Sequence, residues 1–140
     1  DEGVKPIGTF NPYRRVEAET MAFSRGLRTE QNRKVGVYVT DAHNADYIKL
    51  RNVDFGTQSP RTFTARVASG LRGGAIEVRT DSVKGEMVAR LEVPGTGGWE
   101  EWKTLKAEVK SKVSGTHDLY LCFTGRKGPH LMNFDWWRLK

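Results

Sequence analysis

Apolar and polar positions alternate with a period of two along most of the chain from Val16 onward, and stripes at helical spacing are nearly absent. In "TFTARVAS" the alternation puts Phe63, Ala65 and Val67 on one face, and in "GAIEVRT" it aligns Ile76 with Val78. "MVARLEV" aligns Met87, Ala89, Leu91 and Val93, and "HDLYLCF" aligns Leu119, Leu121 and Phe123. "TLKAEVK" sets Leu105, Ala107 and Val109 against Lys106, Glu108 and Lys110. Successive side chains of a strand point to opposite faces, so each segment reads as a strand with one buried face and one wet face. "YRRVEAE", "VGVYVT", "DYIKL" and the terminal "NFDWWRL" are further strand candidates. Turn clusters such as "VDFGTQSP", "SGLRGG", "TDSVKGE", "PGTGG" and "TGRKGP" separate them. Eight or nine short strands at regular spacing predict an all-β fold, a β-sandwich (jelly roll) of two antiparallel sheets. A short helical turn near "TMAFSRG" is the one departure expected.

Length and composition narrow this without changing it. At 140 residues the chain suits one domain, with residues 1–9 read as the remnant of a linker and residues 10–140 as the module. No stretch approaches the roughly 18 uninterrupted apolar residues of a membrane helix, and "DEGVKPIGTF" lacks the basic-then-apolar pattern of a signal peptide. The single cysteine, Cys122 in "LYLCFTG", excludes an internal disulfide and reads as a buried small hydrophobe. The formal charge is +6, but Lys and Arg are scattered singly among acids, as in "YIKLRNV" and "KTLKAEVKSK". With no zinc-finger spacing and no RNP-like aromatic run, the surface reads as solvated and basic, with no nucleic-acid role.

Catalysis has little to stand on. His43, His117 and His130 lie far apart and lack metal-ligand spacing, and no GxSxG elbow, P-loop or GxGxxG occurs. Paired carboxylates about 5 to 10 Å apart would suffice for glycoside hydrolysis. The candidates Glu100 and Glu101 are adjacent, however, and on extended chain would point apart. The expectation is a domain that is not an enzyme.

Two constellations remain. Glu17 and Glu19 in "VEAE" are two apart on a strand and point the same way. Asp135 near the other end of the chain supplies a third hard oxygen donor if first and last strands pair. Calcium takes six to eight such oxygens, although from the spacing alone solvated edge-strand acids are the simpler reading. The second constellation is aromatic. Trp99 in "PGTGGWEEW" follows two glycines in an apparent loop with little to bury it, and an exposed Trp hints at binding. Sugar C–H faces stack on aromatic planes, and sugar hydroxyls suit a planar amide such as that of Asn133, with its two donors and an acceptor. Trp102, Trp136 and Trp137 read as core.

"FNPYRRVEAETMAFSRGLRTE", "DYIKLRNVDFG", "FTARVAS", "GGAIEVRTDS", "GTGGWEEW", "SGTHDLYLCFTG" and "MNFDWWRLK", in that order, resemble a family 6 carbohydrate-binding module, of the kind appended to family 43 arabinofuranosidases and xylosidases. The resemblance runs from about Phe10 to Lys140. It implies a β-sandwich with a structural calcium and an aromatic cleft in the loops at one end. Carried over residue by residue, Trp99 is the loop tryptophan, Asn133 the sugar-binding amide and Tyr38 the facing aromatic. Glu17, Glu19 and Asp135 are the calcium acids, with a backbone carbonyl near Arg33 completing the shell. Some members carry a second site, for which Tyr47 and Glu77 are the matches, although a solvated sheet face is the simpler reading of these two. The implied ligand is a β-linked oligosaccharide or polysaccharide, xylan or arabinoxylan before β-glucan. The implied partner is an appended glycoside hydrolase, and the implied setting is secreted or cell-surface, with a monomeric module. A catalytic β-sandwich such as a polysaccharide lyase or esterase is the competing reading, as is a structural or interaction sandwich with no glycan site. One departure stands out: "VGVYVTDAHNADYI" is about three residues longer than the family's usual stretch, with Ala45 where Gly is usual, so the Thr40–Asn44 segment is expected to reshape the cleft wall.

Overall fold

The computed structural model describes residues 10–18, 23–32 and 36–140. Eleven strands follow in chain order: β1 (Val16–Glu17), β2 (Phe23–Arg25), β3 (Arg28–Asn32), β4 (Gly36–Ala42), β5 (Tyr47–Asp54), β6 (Thr62–Ser69), β7 (Gly74–Thr80), β8 (Met87–Val93), β9 (Gly98–Glu108), β10 (Thr116–Thr124) and β11 (Met132–Leu139). There is no helix among the described residues. The helical turn expected near "TMAFSRG" is therefore corrected where it can be seen: Phe23–Arg25 pairs with β5 as a strand, and Thr20–Ala22 lie outside the described residues.

The strands form two antiparallel sheets of a jelly-roll β-sandwich. One runs β3-β4-β11-β6-β9 and the other β2-β5-β10-β7-β8. β11 lies inside its sheet, with β6 along one side. On its other side it pairs with β4 through Met132 and Phe134 and with β1 through Trp136 and Trp137. First and last strands pair, which meets the condition on which the sequence reading of the acids depended.

Period-two alternation becomes burial. Leu119, Leu121 and Phe123 point inward from β10, and Phe63, Ala65 and Val67 from β6. Phe123 meets Phe134 of the opposite sheet edge-on at 5.9 Å between ring centroids, and Phe63 packs on Trp137 at 6.2 Å. Trp137 is core as read, while Trp102 and Trp136 keep part of their surface in solvent. The pattern slips at β8. Val78 opposes Ala89 but Arg79 opposes Met87, so Val88 is the extra residue of a bulge. Val88 is consequently buried and Met87, read as inward, is only half-buried. β9 is the sheet edge, and its exposed Glu101, Lys103, Lys106 and Glu108 discourage edge-to-edge pairing.

Candidate functional site

Four connections gather at one end of the sandwich: the β4–β5 turn, the β6–β7 turn, the β8–β9 turn and the β10–β11 loop. Hydrogen bonds lace them together. Gly125 N–H donates to Asn44 Oδ1 (3.1 Å), Thr96 N–H to the Ser69 carbonyl (2.9 Å), and Ser69 Oγ–H to the Leu131 carbonyl (2.7 Å). A cleft of about 530 Å³ opens here between Gly70–Gly73 and the Arg126–Leu131 stretch.

Trp99 stands beside this cleft. It is the second residue of β9, not part of a loop, and is half-buried. Its indole lies against Gly70 so closely that a Cβ at position 70 would sit 2.5 Å from Trp99 Nε1, so only glycine fits beneath the ring. The ring that faces it is His130, at 5.8 Å between centroids and tilted by 62°. Asn133, 5% exposed on β11, donates from Nδ2 to the Trp99 carbonyl (2.7 Å) and accepts at Oδ1 from Thr40 Oγ–H (2.6 Å). These two bonds fix the plane of the amide and tie the start of β9 to β4 across β11. Tyr38 is 4% exposed, and its ring stands edge-on to Trp102 at 5.1 Å.

The Thr40–Asn44 segment leaves regular strand geometry and leads into an irregular turn. Met132 and Phe134 of β11 oppose Ala42 and Val39 of β4, so β4 carries an extra residue at Thr40–Asp41. Asp41 takes the left-handed conformation there, with φ of 62°. In the turn, Ala45 has φ of 77°, a conformation glycine adopts freely and alanine at a cost on the order of 1 kcal/mol. His43 N–H donates to Asp46 Oδ2 (2.8 Å), which closes the turn. The segment thereby brings His43 to within 4.9 Å of the His130 ring. The sequence showed these histidines only as far apart and without metal-ligand spacing, because no spacing rule joins residues brought together only by the meeting of two hairpin ends.

Of the acids read as metal ligands, Glu17 lies on β1 and Asp135 on β11, the strand it pairs with. Ala18 N–H donates to the Asp135 carbonyl (2.8 Å), and Glu17 opposes Trp136. Asp135 is the extra residue of a bulge between Phe134 and Trp136, and its side chain is 0% exposed beside Arg66 (3.4 Å). Glu17 is paired with Arg15 (3.1 Å) and partly exposed. Glu19 and Arg33 lie outside the described residues.

On the outer face of the other sheet Tyr47 packs against Tyr120 at 5.7 Å, with Lys49 over the Tyr120 ring. Glu77 is held there by Arg79 (3.0 Å) and by Arg90. Cys122 opposes Glu77 across β10 and β7, and burial pushes its thiol up to about 11, which suits an inert packing residue. Glu100 and Glu101 are consecutive and exposed on β9, in the irregular stretch between the Gly98–Ser69 and Lys103–Val67 pairs.

The family model described as carbohydrate binding module (family 6) matches residues 17–140. An arabinoxylan arabinofuranohydrolase of Bacillus subtilis (strain 168) is 43% identical over 141 residues, which is 97% of this chain and 27% of that enzyme's length. Two solved structures are similar over nearly the whole chain. A family 6 carbohydrate-binding module from Clostridium cellulolyticum in complex with xylose is 40% identical, with a TM-score of 0.87 and coverage of 93% of this chain and 98% of that one. A β-1,3-glucan-binding family 6 module from Bacillus halodurans is 34% identical, also at 0.87, covering 94% and 98%. The chain belongs to family 6 of the carbohydrate-binding modules, a family of non-catalytic binding modules.

Proposed function

We propose that this module binds β-linked plant polysaccharide in the end cleft, xylan or arabinoxylan before β-glucan, and so holds an appended, secreted glycoside hydrolase on its substrate. The observation that carries the reading is the Trp99–Asn133 lock. A half-buried indole braced on Gly70 and an amide held in one plane supply a stacking face beside a hydrogen-bonding edge. The ligand order follows the relatives, one an enzyme named for arabinoxylan and another a module in complex with xylose. The chain spans only about a quarter of that enzyme, so the hydrolase partner is part of the proposal. Tethering would act through effective concentration, needing no strong contact in the module itself. A few stacked rings and hydrogen bonds in a wet cleft give a Kd on the order of 10 µM to 1 mM, about −4 to −7 kcal/mol.

Tyr38 is the second aromatic of this reading. At 4% exposure against Trp102 it offers a ligand little face in its present rotamer, so its removal is expected to cost less binding than loss of Trp99. Tyr47, with Glu77 nearby on the same sheet, is proposed as a second and weaker site. The test is affinity electrophoresis of the module in gels containing arabinoxylan, xylan or mixed β-glucan, where retardation on the xylans is expected. Free migration in all three would favour a structural sandwich with no glycan site.

A structural calcium held by Glu17, Glu19 and Asp135 belongs to the same proposal. In its support, Glu17 lies on β1, which pairs with β11 next to Asp135, and Asp135 is a fully buried carboxylate whose charge calcium would help Arg66 to offset. Bound calcium would cross-link the two strands through oxygen ligands. An ion present at 100 times its Kd stabilises the folded state by about 2.7 kcal/mol. Chelation by EDTA is therefore expected to lower the Tm by on the order of 10 °C, measured by thermal unfolding with and without added calcium. An unchanged Tm would remove calcium from the proposal.

A further inference from the structure

We infer that Asp41, His43 and His130 form a binding site for a divalent transition metal of the zinc class at the rim of the end cleft. One ligand atom from each of the three lies within 4.8 Å of the others. His130 Nδ1 is 3.2 Å from Asp41 Oδ1, and His43 Nε2 is 3.9 Å from the same oxygen. A tetrahedral zinc with bonds of about 2.0–2.1 Å needs its ligand atoms about 3.3 Å apart, so small side-chain rotations close the shell. Two imidazoles and one carboxylate are a donor set for zinc and its neighbours in the transition series, and a poor one for calcium or magnesium, which take oxygen.

The tautomer of His43 is set for this task. Its Nδ1 lies 2.8 Å from the Asp41 carbonyl oxygen, which can only accept, so Nδ1 carries the proton and Nε2 of the neutral ring presents its lone pair. A backbone carbonyl orienting the far nitrogen of a ligating histidine is the usual support around a protein-bound metal. Asp41 is aimed by the left-handed bulge of β4, and His43 follows it into the turn closed by Asp46. Both come from the Thr40–Asn44 segment, at the end of β4 and in the turn that follows it. Three protein ligands leave a fourth position open to solvent, with side-chain exposures of 26%, 34% and 54% for Asp41, His43 and His130. A bound ion would join the β4–β5 turn to the β10–β11 loop and hold His130 against Trp99.

The experiment is calorimetric titration of Zn²⁺ alone into untagged protein in buffer already saturated with Ca²⁺, so that any oxygen-donor site is filled. One saturable equivalent is expected, and His43→Ala and His130→Ala should each weaken it by on the order of 100-fold, since even loss of an outer-shell partner costs 10- to 100-fold. His130 is more than half exposed, so its variant should keep the parental Tm and isolate the metal effect from folding. No saturable binding by the parent protein would overturn the assignment. So would an equivalent retained at full affinity in both variants, which would place the ion elsewhere.

Discussion

Trp99→Ala is expected to abolish detectable retardation of the module in xylan gels while leaving its Tm within a few degrees of the parent. The indole stands at the cleft rim, half-buried near the start of a strand, and rests on the backbone at Gly70. Removing it forfeits a stacking platform worth about 1.5–3 kcal/mol. That is roughly a 10- to 100-fold loss, which carries a Kd starting near 10 µM to 1 mM to or beyond the range an affinity gel detects. The Asn133 bond survives the substitution, because it is made to the Trp99 main-chain carbonyl. Asn133→Ala is a different perturbation. It strips Thr40 Oγ and the Trp99 carbonyl of their partner, so weaker binding there should come with a measurable loss of stability. Retardation that persists after Trp99→Ala would move the sugar away from this end of the sandwich.

The largest stability effect is expected at Phe134. It is fully buried in the middle of β11, opposite Val39 on one side and Val67 on the other, with its ring edge-on to Phe123 of the second sheet. Truncation to Ala leaves a cavity that the backbone of two paired neighbours cannot close, and such changes cost about 3–5 kcal/mol. Against a total stability of roughly 5–15 kcal/mol, the Tm should fall by on the order of 10–20 °C, and guanidinium unfolding should show the same loss with the slope unchanged. A loss below about 1 kcal/mol would mean that the two sheets do not meet at this pair.

Most of the architecture was legible because one-sided burial writes itself into alternating residues. β6, β7 and β10 were read with their inward faces correct for that reason. β3 was not read as a strand, since "RTEQN" is polar throughout and pairs only with β4 at the sheet edge. Bulges were also invisible. The slips at Val88, at Asp41 and at Asp135 are decided by what lies on the neighbouring strand, and a period-two reading of one segment carries no such information. At the candidate site, Trp99 and Asn133 stood out because a glycine-flanked Trp and an amide among aromatics are unusual, and the structure joins them directly. His130 facing Trp99, and His43 behind it, could not be read, because their meeting depends on where the β4 bulge turns the chain.

The place of β11 within its sheet bears on how the chain is made. β4 and β6 are separated in space by a strand that is synthesised after both, and β1 has its register partner only at Trp136 and Trp137. Until Leu139 clears the ribosome, β4 and β6 lack the strand that pairs their facing edges, and Phe63 and Phe123 lack the rings they pack on. Ordering this sheet is therefore a late, cooperative event, with most partners distant in sequence, and belongs among the slower folding topologies. A nascent chain stalled before Met132 would not be a smaller version of the module. It would be an open sheet needing protection from its neighbours on the polysome.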